Sequence, residues 1–215
     1  MSKFKQIYDL YNFNFETRIR TYQRWYCGTP YEYVEQFVPK QGNIIDIGCG
    51  WGMFSNLLAL SSSERNVYGI DLDSLKIGWA KKTIKDRDNI KFDVQDLKTI
   101  KLDKINSIVI WDVLHHLEEE TQFSVLEECY KKLSVGGKFI LKENDVVPLW
   151  KYWASHFVEM IALGFNITMS KKILFRSRKE WKKLLEKYGF KVNYIEHIKT
   201  WHGFFVPHSL FVCEK

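Results

Sequence analysis

The chain has 215 residues, 46% of them hydrophobic and 16% aromatic, with a formal net charge of +6. That length supports one compact core, and no Pro/Gly/Ser-rich linker, internal repeat or low-complexity tract divides it, so a single α/β domain over 1–215 is expected. No apolar run follows a basic start, and Cys27, Cys49, Cys129 and Cys213 are scattered, which argues against secretion, a disulfide framework or a zinc site; a cytoplasmic, metal-free protein is expected.

The basic excess is dispersed, in Lys81-Lys82, Lys131-Lys132, Lys171-Lys172 and Lys182-Lys183, which reads as a solubilising surface; nucleic acid is not an expected partner. The first forty residues are dense in rings and arginines: Tyr8, Tyr11, Phe13, Phe15, Arg18, Arg20, Tyr22, Arg24, Trp25, Tyr26, Tyr31 and Tyr33. Most of these rings are expected to pack the first helices onto the core.

Residues 44 to 52, Ile-Ile-Asp-Ile-Gly-Cys-Gly-Trp-Gly, then place a short buried strand before three alternating glycines and a helical stretch from Met53 to Leu60. Glycines at 48, 50 and 52 let the backbone take positive φ and approach a ligand, and the helix that follows turns its free N–H groups and positive dipole end towards it. The spacing is G-x-G-x-G with Asp46 two residues ahead, and not the G-x-G-x-x-G of a pyrophosphate cradle. An acid beside the turn repels pyrophosphate and welcomes an ammonium group, so a ligand with both an amine and a carboxylate fits.

Val67 to Ile70 reads as a second strand ending at Asp71, where an acid can accept both hydroxyls of a ribose, a feature shared with NAD-binding folds. Ile90 to Phe92 is a third strand, followed by Val94-Gln95-Asp96-Leu97. Ser107 to Ile110 is a fourth, running into Trp111-Asp112-Val113-Leu114-His115-His116-Leu117. A helix from Glu119 to Leu133 leads through a turn at Ser134-Val135-Gly136-Gly137 into a fifth strand, Lys138 to Lys142. Beyond Pro148, the residues Leu149, Trp150, Trp153, Phe157, Met160 and Ile161 recur at helical spacing, while Lys151, His156 and Glu159 interrupt the apolar run, so an amphipathic helix is expected and not a membrane span. Arg178 to Tyr188 reads as a helix stopped by Gly189, and Phe190 to Ile198 and Leu210 to Cys213 as the last strands.

In its acidic residue before G-x-G-x-G, in Asp71, in the Asp96 loop, in the Trp111 to Leu117 segment and in the Gly136-Gly137 turn, residues 41–215 resemble the class I S-adenosylmethionine-dependent methyltransferases. The resemblance implies a Rossmann-like, doubly wound, seven-stranded and mostly parallel sheet with an antiparallel last strand and helices on both faces. It divides the domain into a helical lid over 1–40, a cofactor-binding core over 41–145, a helical acceptor-side insertion over 146–176 and a C-terminal helix with strands over 177–215. The implied cofactor is S-adenosylmethionine, released as S-adenosylhomocysteine. Its implied contacts are Asp46, Gly48, Cys49, Gly50, Gly52, Asp71, Leu72, Asp96, Leu97, Trp111 and Asp112. Cys49 reads as a small packing residue, and Asp112 as a residue that touches the cofactor or orients its loop.

Three shorter segments, Tyr26-Cys27-Gly28-Thr29-Pro30, Phe175 to Trp181 and Pro207 to Val212, resemble a little-characterised bacterial methyltransferase subgroup associated with lipid-like or polyketide-like products. The acceptor implied is therefore a small, hydrophobic or lipid-like molecule, with peripheral membrane contact open to the amphipathic stretch; no oligomeric state is implied. Methyl transfer is in-line displacement at a sulfonium, for which holding two reactants in attack geometry is worth on the order of 7–11 kcal/mol. A general base adds roughly 3–5 kcal/mol. Candidate bases are His115 and Glu143, ahead of His116, His202 and His208. Transfer to RNA or protein, and a catalytically silent cofactor-binding protein, remain the alternatives.

Overall fold

The computed structural model describes residues 2–13, 15–27, 30–99, 101, 104–146, 174–198 and 208–215. The amphipathic helix expected after Pro148, and His202, lie outside these residues.

The strands are β1 (Gly42–Ile47), β2 (Arg65–Asp71), β3 (Ile90–Val94), β4 (Ile105–Trp111), β5 (Leu133–Asn144), β6 (Lys191–Ile198) and β7 (His208–Glu214). The helices are α1 (Lys3–Leu10), α2 (Phe15–Cys27), α3 (Tyr31–Glu35), α4 (Met53–Ser61), α5 (Ser74–Lys82), α6 (Glu119–Lys132) and α7 (Arg178–Lys187). They build one seven-stranded sheet in the order β3-β2-β1-β4-β5-β7-β6. Pairing is parallel from β3 across to β5, and β7 is antiparallel to both neighbours, as the resemblance implied. The strand order reverses between β1 and β4, the position where an open α/β sheet leaves a crevice at the strands' carboxyl ends.

Successive strand residues point to opposite faces, and both faces are covered, which is why the strands are almost continuously apolar. Ile44, Val67, Phe92, Val109 and Ile140 pack with Ile7 of α1, Val34 of α3, Leu57 of α4 and Ile77 of α5. Ile45, Ile108, Ile110, Phe139 and Leu141 pack on the other side with Leu126 of α6 and with Trp181 and Leu185 of α7.

Two boundaries differ instructively from the sequence expectation. β5 begins at Leu133 because Leu133 pairs with Ile105 before the Gly136-Gly137 segment bulges out and pairing resumes at Lys138 opposite Ser107. β2 begins at Arg65, whose fully buried guanidinium donates to Glu35 Oε1, to the carbonyls of Leu58 and Val38 and, through Nε, to that of Pro39. That single side chain ties α3 and the loop after it to the sheet. No described helix is long and apolar enough to cross a membrane.

The aromatic N-terminus divides into two groups. Tyr11 and Tyr31 are buried, Tyr11 donating to the Trp51 carbonyl at 2.6 Å, whereas Phe13, Phe15 and Tyr22 are exposed, Phe15 to 78%. The buried rings carry the packing role expected of them; the exposed ones are available to a lid.

Candidate functional site

The three glycines of the turn all have positive φ, +70° at Gly48, +55° at Gly50 and +77° at Gly52, but for different reasons. A Cβ on Gly48 would lie 2.3 Å from Val113 Cγ2, and one on Gly52 would lie 2.5 Å from the Phe92 ring. Those two positions are set by packing. A Cβ on Gly50 would meet nothing nearer than Lys76 Cδ at 4.0 Å, so Gly50 presents its backbone to open space.

The turn is sewn to the end of β2. The Gly48 and Cys49 amides donate to the Ile70 carbonyl at 2.8 and 3.0 Å, and the Gly50 amide donates to Asp71 Oδ2 at 2.9 Å. The Gly48, Cys49 and Gly50 amides are therefore already engaged, whereas the first-turn amides of α4 have no intrahelical acceptor. Asp71 Oδ1 also accepts from the Asp73 amide at 2.9 Å, which fixes the carboxylate while leaving lone pairs for ribose hydroxyls. Leu72 follows, 63% exposed, an apolar surface beside that carboxylate. The Gln95 amide donates to the Asp71 carbonyl, bringing the Asp96 loop to the same corner; there Asp96 is exposed, its Oδ1 accepting from the Lys98 amide, and Leu97 is buried.

Asp46 lies behind the turn on β1, almost fully buried, with Ser55 Oγ donating to it at 2.5 Å. Burial pushes its carboxyl up to about 7 against the pull of the Ser55 hydrogen bond, and the Asp71 charge pushes the same way. A bound ammonium stabilises the ionised form. Below Asp46's own value the carboxyl must first lose a proton, so binding of S-adenosylhomocysteine is expected to tighten about tenfold per unit as pH rises towards 7 and to level off above it. Calorimetry between about pH 5.5 and about pH 7.5 checks this, with a flat response expected for Asp46→Asn. Cys49 is half-buried, and burial pushes its thiol well above the usual value, so it stays protonated.

At the carboxyl end of β4, Trp111 sits against Phe54 and Tyr31, with ring centroids 5.1 and 5.4 Å apart. Asp112 follows in a left-handed conformation, φ +52°, its Oδ2 paired with the ammonium of Lys142, a residue buried on β5. Burial alone would raise the Asp112 carboxyl, but Lys142 first, then His208 and His115, hold it below the usual carboxylate range. Val113, next in the chain, packs on Gly48, so the segment after β4 touches the glycine turn.

His115 and Glu143 are joined. Glu143 Oε2 meets His115 Nδ1 at 2.5 Å, and Glu143 Oε1 accepts from the amides of Val113 at 3.2 Å and Leu114 at 2.8 Å. Both side chains are buried. His116 lies beside His115, the rings tilted with centroids 4.1 Å apart, and burial, aided by His115, pushes it down to about 4, so it is neutral at ordinary pH. His208 is buried against Asn144, 3.0 Å from Nδ1 to Oδ1.

Asp112, His115 and Glu143 bring one potential ligand atom each within 4.8 Å of one another. The distances would suit a cation, yet both Glu143 oxygens are committed to the two amides and His115, and an ammonium already neutralises Asp112. The cluster is organised for hydrogen bonding.

Sequence reasoning passed over Ser55 and Lys142. Lys142 left a signal: it is two residues on from Ile140, on a buried face of an apolar strand, where a lysine needs a counter-ion.

A doubly wound sheet with a glycine turn at its switch point, a buried acid behind the turn and a second acid at the end of β2 defines an adenosyl-cofactor-binding domain. A methyltransferase domain family matches residues 44–137. An uncharacterised methyltransferase of Bacillus cytotoxicus is 30% identical over 128 residues, 56% of each chain, and a ubiquinone biosynthesis O-methyltransferase of Coxiella burnetii is 27% identical over 111 residues, 50% of this chain and 46% of that one. The chain thus spans about half the length of the curated relatives it matches. The cyclopropane synthase MmaA2 of Mycobacterium tuberculosis shares the fold, with a TM-score of 0.69 at 12% identity over 98% of this chain and 94% of that one. Residues 44–137 thus match a methyltransferase domain family, and the chain shares the fold of S-adenosylmethionine-dependent methyltransferases, which suits S-adenosylmethionine as the cofactor.

Proposed function

We propose that the protein transfers a methyl group from S-adenosylmethionine to a small, apolar, lipid-like acceptor. The observation that carries this reading is the half-buried ring of Trp111 at the carboxyl end of β4, beside the glycine turn and backed by the buried rings of Tyr31 and Phe54. Ligands of open α/β sheets sit at that end, and an aromatic surface suits an apolar molecule. The name of the Coxiella burnetii relative, a ubiquinone biosynthesis O-methyltransferase, points the same way.

On this reading Asp46 faces the cofactor's ammonium, and Gly48, Cys49, Gly50 and Gly52 form the cradle. Asp71 takes the ribose hydroxyls, Leu72 and Leu97 border the adenine, Asp96 receives its exocyclic amine, and Trp111 with the Asp112 backbone closes the floor. When bound, the cofactor supplies an electrophilic methyl on a sulfonium, a good leaving group. The protein's own work is then chiefly to hold the acceptor in line. Glu143 fixes the His115 ring, which makes the pair the candidate base. Helices α1 and α2 form the lid, and the segment over 146–176 the acceptor side, with contact to a membrane surface open to it.

The test is a labelled methyl donor offered with long-chain fatty acids, phenols and RNA. Incorporation into a fatty acid or phenol is expected; transfer confined to RNA would overturn the reading in favour of a macromolecular acceptor.

A further inference from the structure

We propose that Tyr11 is a positioning residue for the cofactor: its hydroxyl fixes the Trp51–Gly52 peptide, and with it the face of the glycine turn on which the cofactor lies. This rests on the cofactor reading above.

The Trp51–Gly52 peptide is the part of the turn most in need of a clamp. Gly50 and Gly52, on either side of Trp51, have left-handed φ, +55° and +77°, and no Cβ to resist rotation. Both ends of the peptide are held. The Gly52 amide donates to the Cys49 carbonyl at 2.9 Å, within the turn, whereas the Trp51 carbonyl accepts from the Tyr11 hydroxyl at 2.6 Å, from 40 residues upstream. Tyr11 is 1% exposed, and burial pushes its phenol well above the ordinary value, so the hydroxyl stays a donor throughout the working pH range. It is aimed in turn by Asn56 Nδ2, which donates to it at 2.9 Å and to the Gly52 carbonyl at 2.8 Å.

The clamp belongs to the N-terminal helices. The Tyr11 carbonyl accepts from Thr17 Oγ1 at 2.7 Å, which ties Tyr11 to α2. The Trp51 indole is engaged as well: the Arg20 guanidinium of α2 lies 5.3 Å from its ring centroid, and the ring stacks on Trp79 of α5 at 5.7 Å, which Phe13 meets at 6.0 Å. Trp51 is therefore gripped by its backbone and by its ring. It separates Gly50, whose backbone faces open space, from the start of α4, so rotation of the Trp51–Gly52 peptide shifts Gly50 against the helix. Without the hydroxyl the turn samples other orientations, and a ligand that needs one of them binds more weakly by the fraction lost.

Full-length wild type, Tyr11→Phe and Thr83→Val are titrated calorimetrically with S-adenosylhomocysteine, and their melting temperatures are measured alongside. Phenylalanine keeps the ring and loses the hydroxyl. Thr83 Oγ1 is also buried and accepts from the same Asn56 Nδ2 at 2.8 Å, but it donates to the Ala80 carbonyl and not to the turn, so Thr83→Val is the matched loss of a buried hydroxyl. Tyr11→Phe is expected to bind about tenfold more weakly than wild type and Thr83→Val to stay within about twofold, at comparable losses of melting temperature. Unchanged affinity in a folded Tyr11→Phe variant, or equal weakening in both variants, would overturn the assignment. A second readout needs no variant, because coupling between ligand and clamp is reciprocal. S-adenosylhomocysteine is expected to slow trypsin at the exposed Arg18 and Arg24 of α2 about fivefold or more relative to the exposed Lys182 and Lys183 of α7. Equal protection of the two helices would count against the clamp as decisively. Wild type that does not bind S-adenosylhomocysteine would instead sink the cofactor reading, and the proposal with it.

Discussion

Replacing Gly50 by valine is expected to give a folded protein whose affinity for S-adenosylhomocysteine has fallen about 100-fold or more, roughly 3 kcal/mol. A Cβ at Gly50 meets nothing nearer than 4.0 Å in the protein, so the substitution leaves the core packing intact. It sets a β-branched side chain at a φ of +55°, a strain of about 1–2 kcal/mol, and directs that side chain into the space a ligand must enter. The neighbouring glycines should behave differently. Alanine at Gly48 or Gly52 would press on Val113 or Phe92 at 2.3 or 2.5 Å, so those variants are expected to lose about 1–3 kcal/mol of stability before any effect on binding is read. Circular dichroism and calorimetry separate the cases; unchanged affinity in a folded Gly50→Val variant would contradict the site.

His115→Ala is expected to lower turnover about 10²–10⁴-fold while leaving cofactor affinity nearly intact. His115 is held by a carboxylate whose other oxygen is anchored by two backbone amides, an arrangement that fixes the ring. Glu143→Gln tests the same pair from behind. Losing the carboxylate frees the imidazole ring to turn, so turnover should fall with cofactor affinity nearly intact, by less than in His115→Ala. A purely packing role for Glu143 would lower stability and leave the turnover of the folded protein unchanged. Unaltered turnover in both variants would leave positioning as the whole mechanism.

Much of the fold was legible in the sequence because its signals are local. The run Ile44 to Ile47, the glycines at 48, 50 and 52 and the helix from Met53 follow from adjacent residues, and the strand, turn and helix lie where the pattern put them. The expected bounds of helices α6 and α7 lie within a residue of the observed ones at each end, with Gly189 as the stop read for α7. The start of β5 was less legible, because Leu133 joins the sheet only through Ile105, far away in the chain. The site's side chains fell on the same divide. Asp46 and Asp71 stand at strand ends that sequence can read, whereas the Ser55 hydroxyl on Asp46, the Lys142 ammonium on Asp112 and the Glu143 carboxylate on His115 are cross-element contacts.

The sequence by itself determined that the chain forms an α/β domain with a strand, glycine turn and helix in succession, because each of these is set by residues a few positions apart. Only the tertiary structure decided which groups act together there. The parallel pairing of β4 with β5 places Lys142 against Asp112 and Glu143 against His115, and burial between the layers makes each pairing matter, since a charge taken out of water is held only by the partner the fold provides.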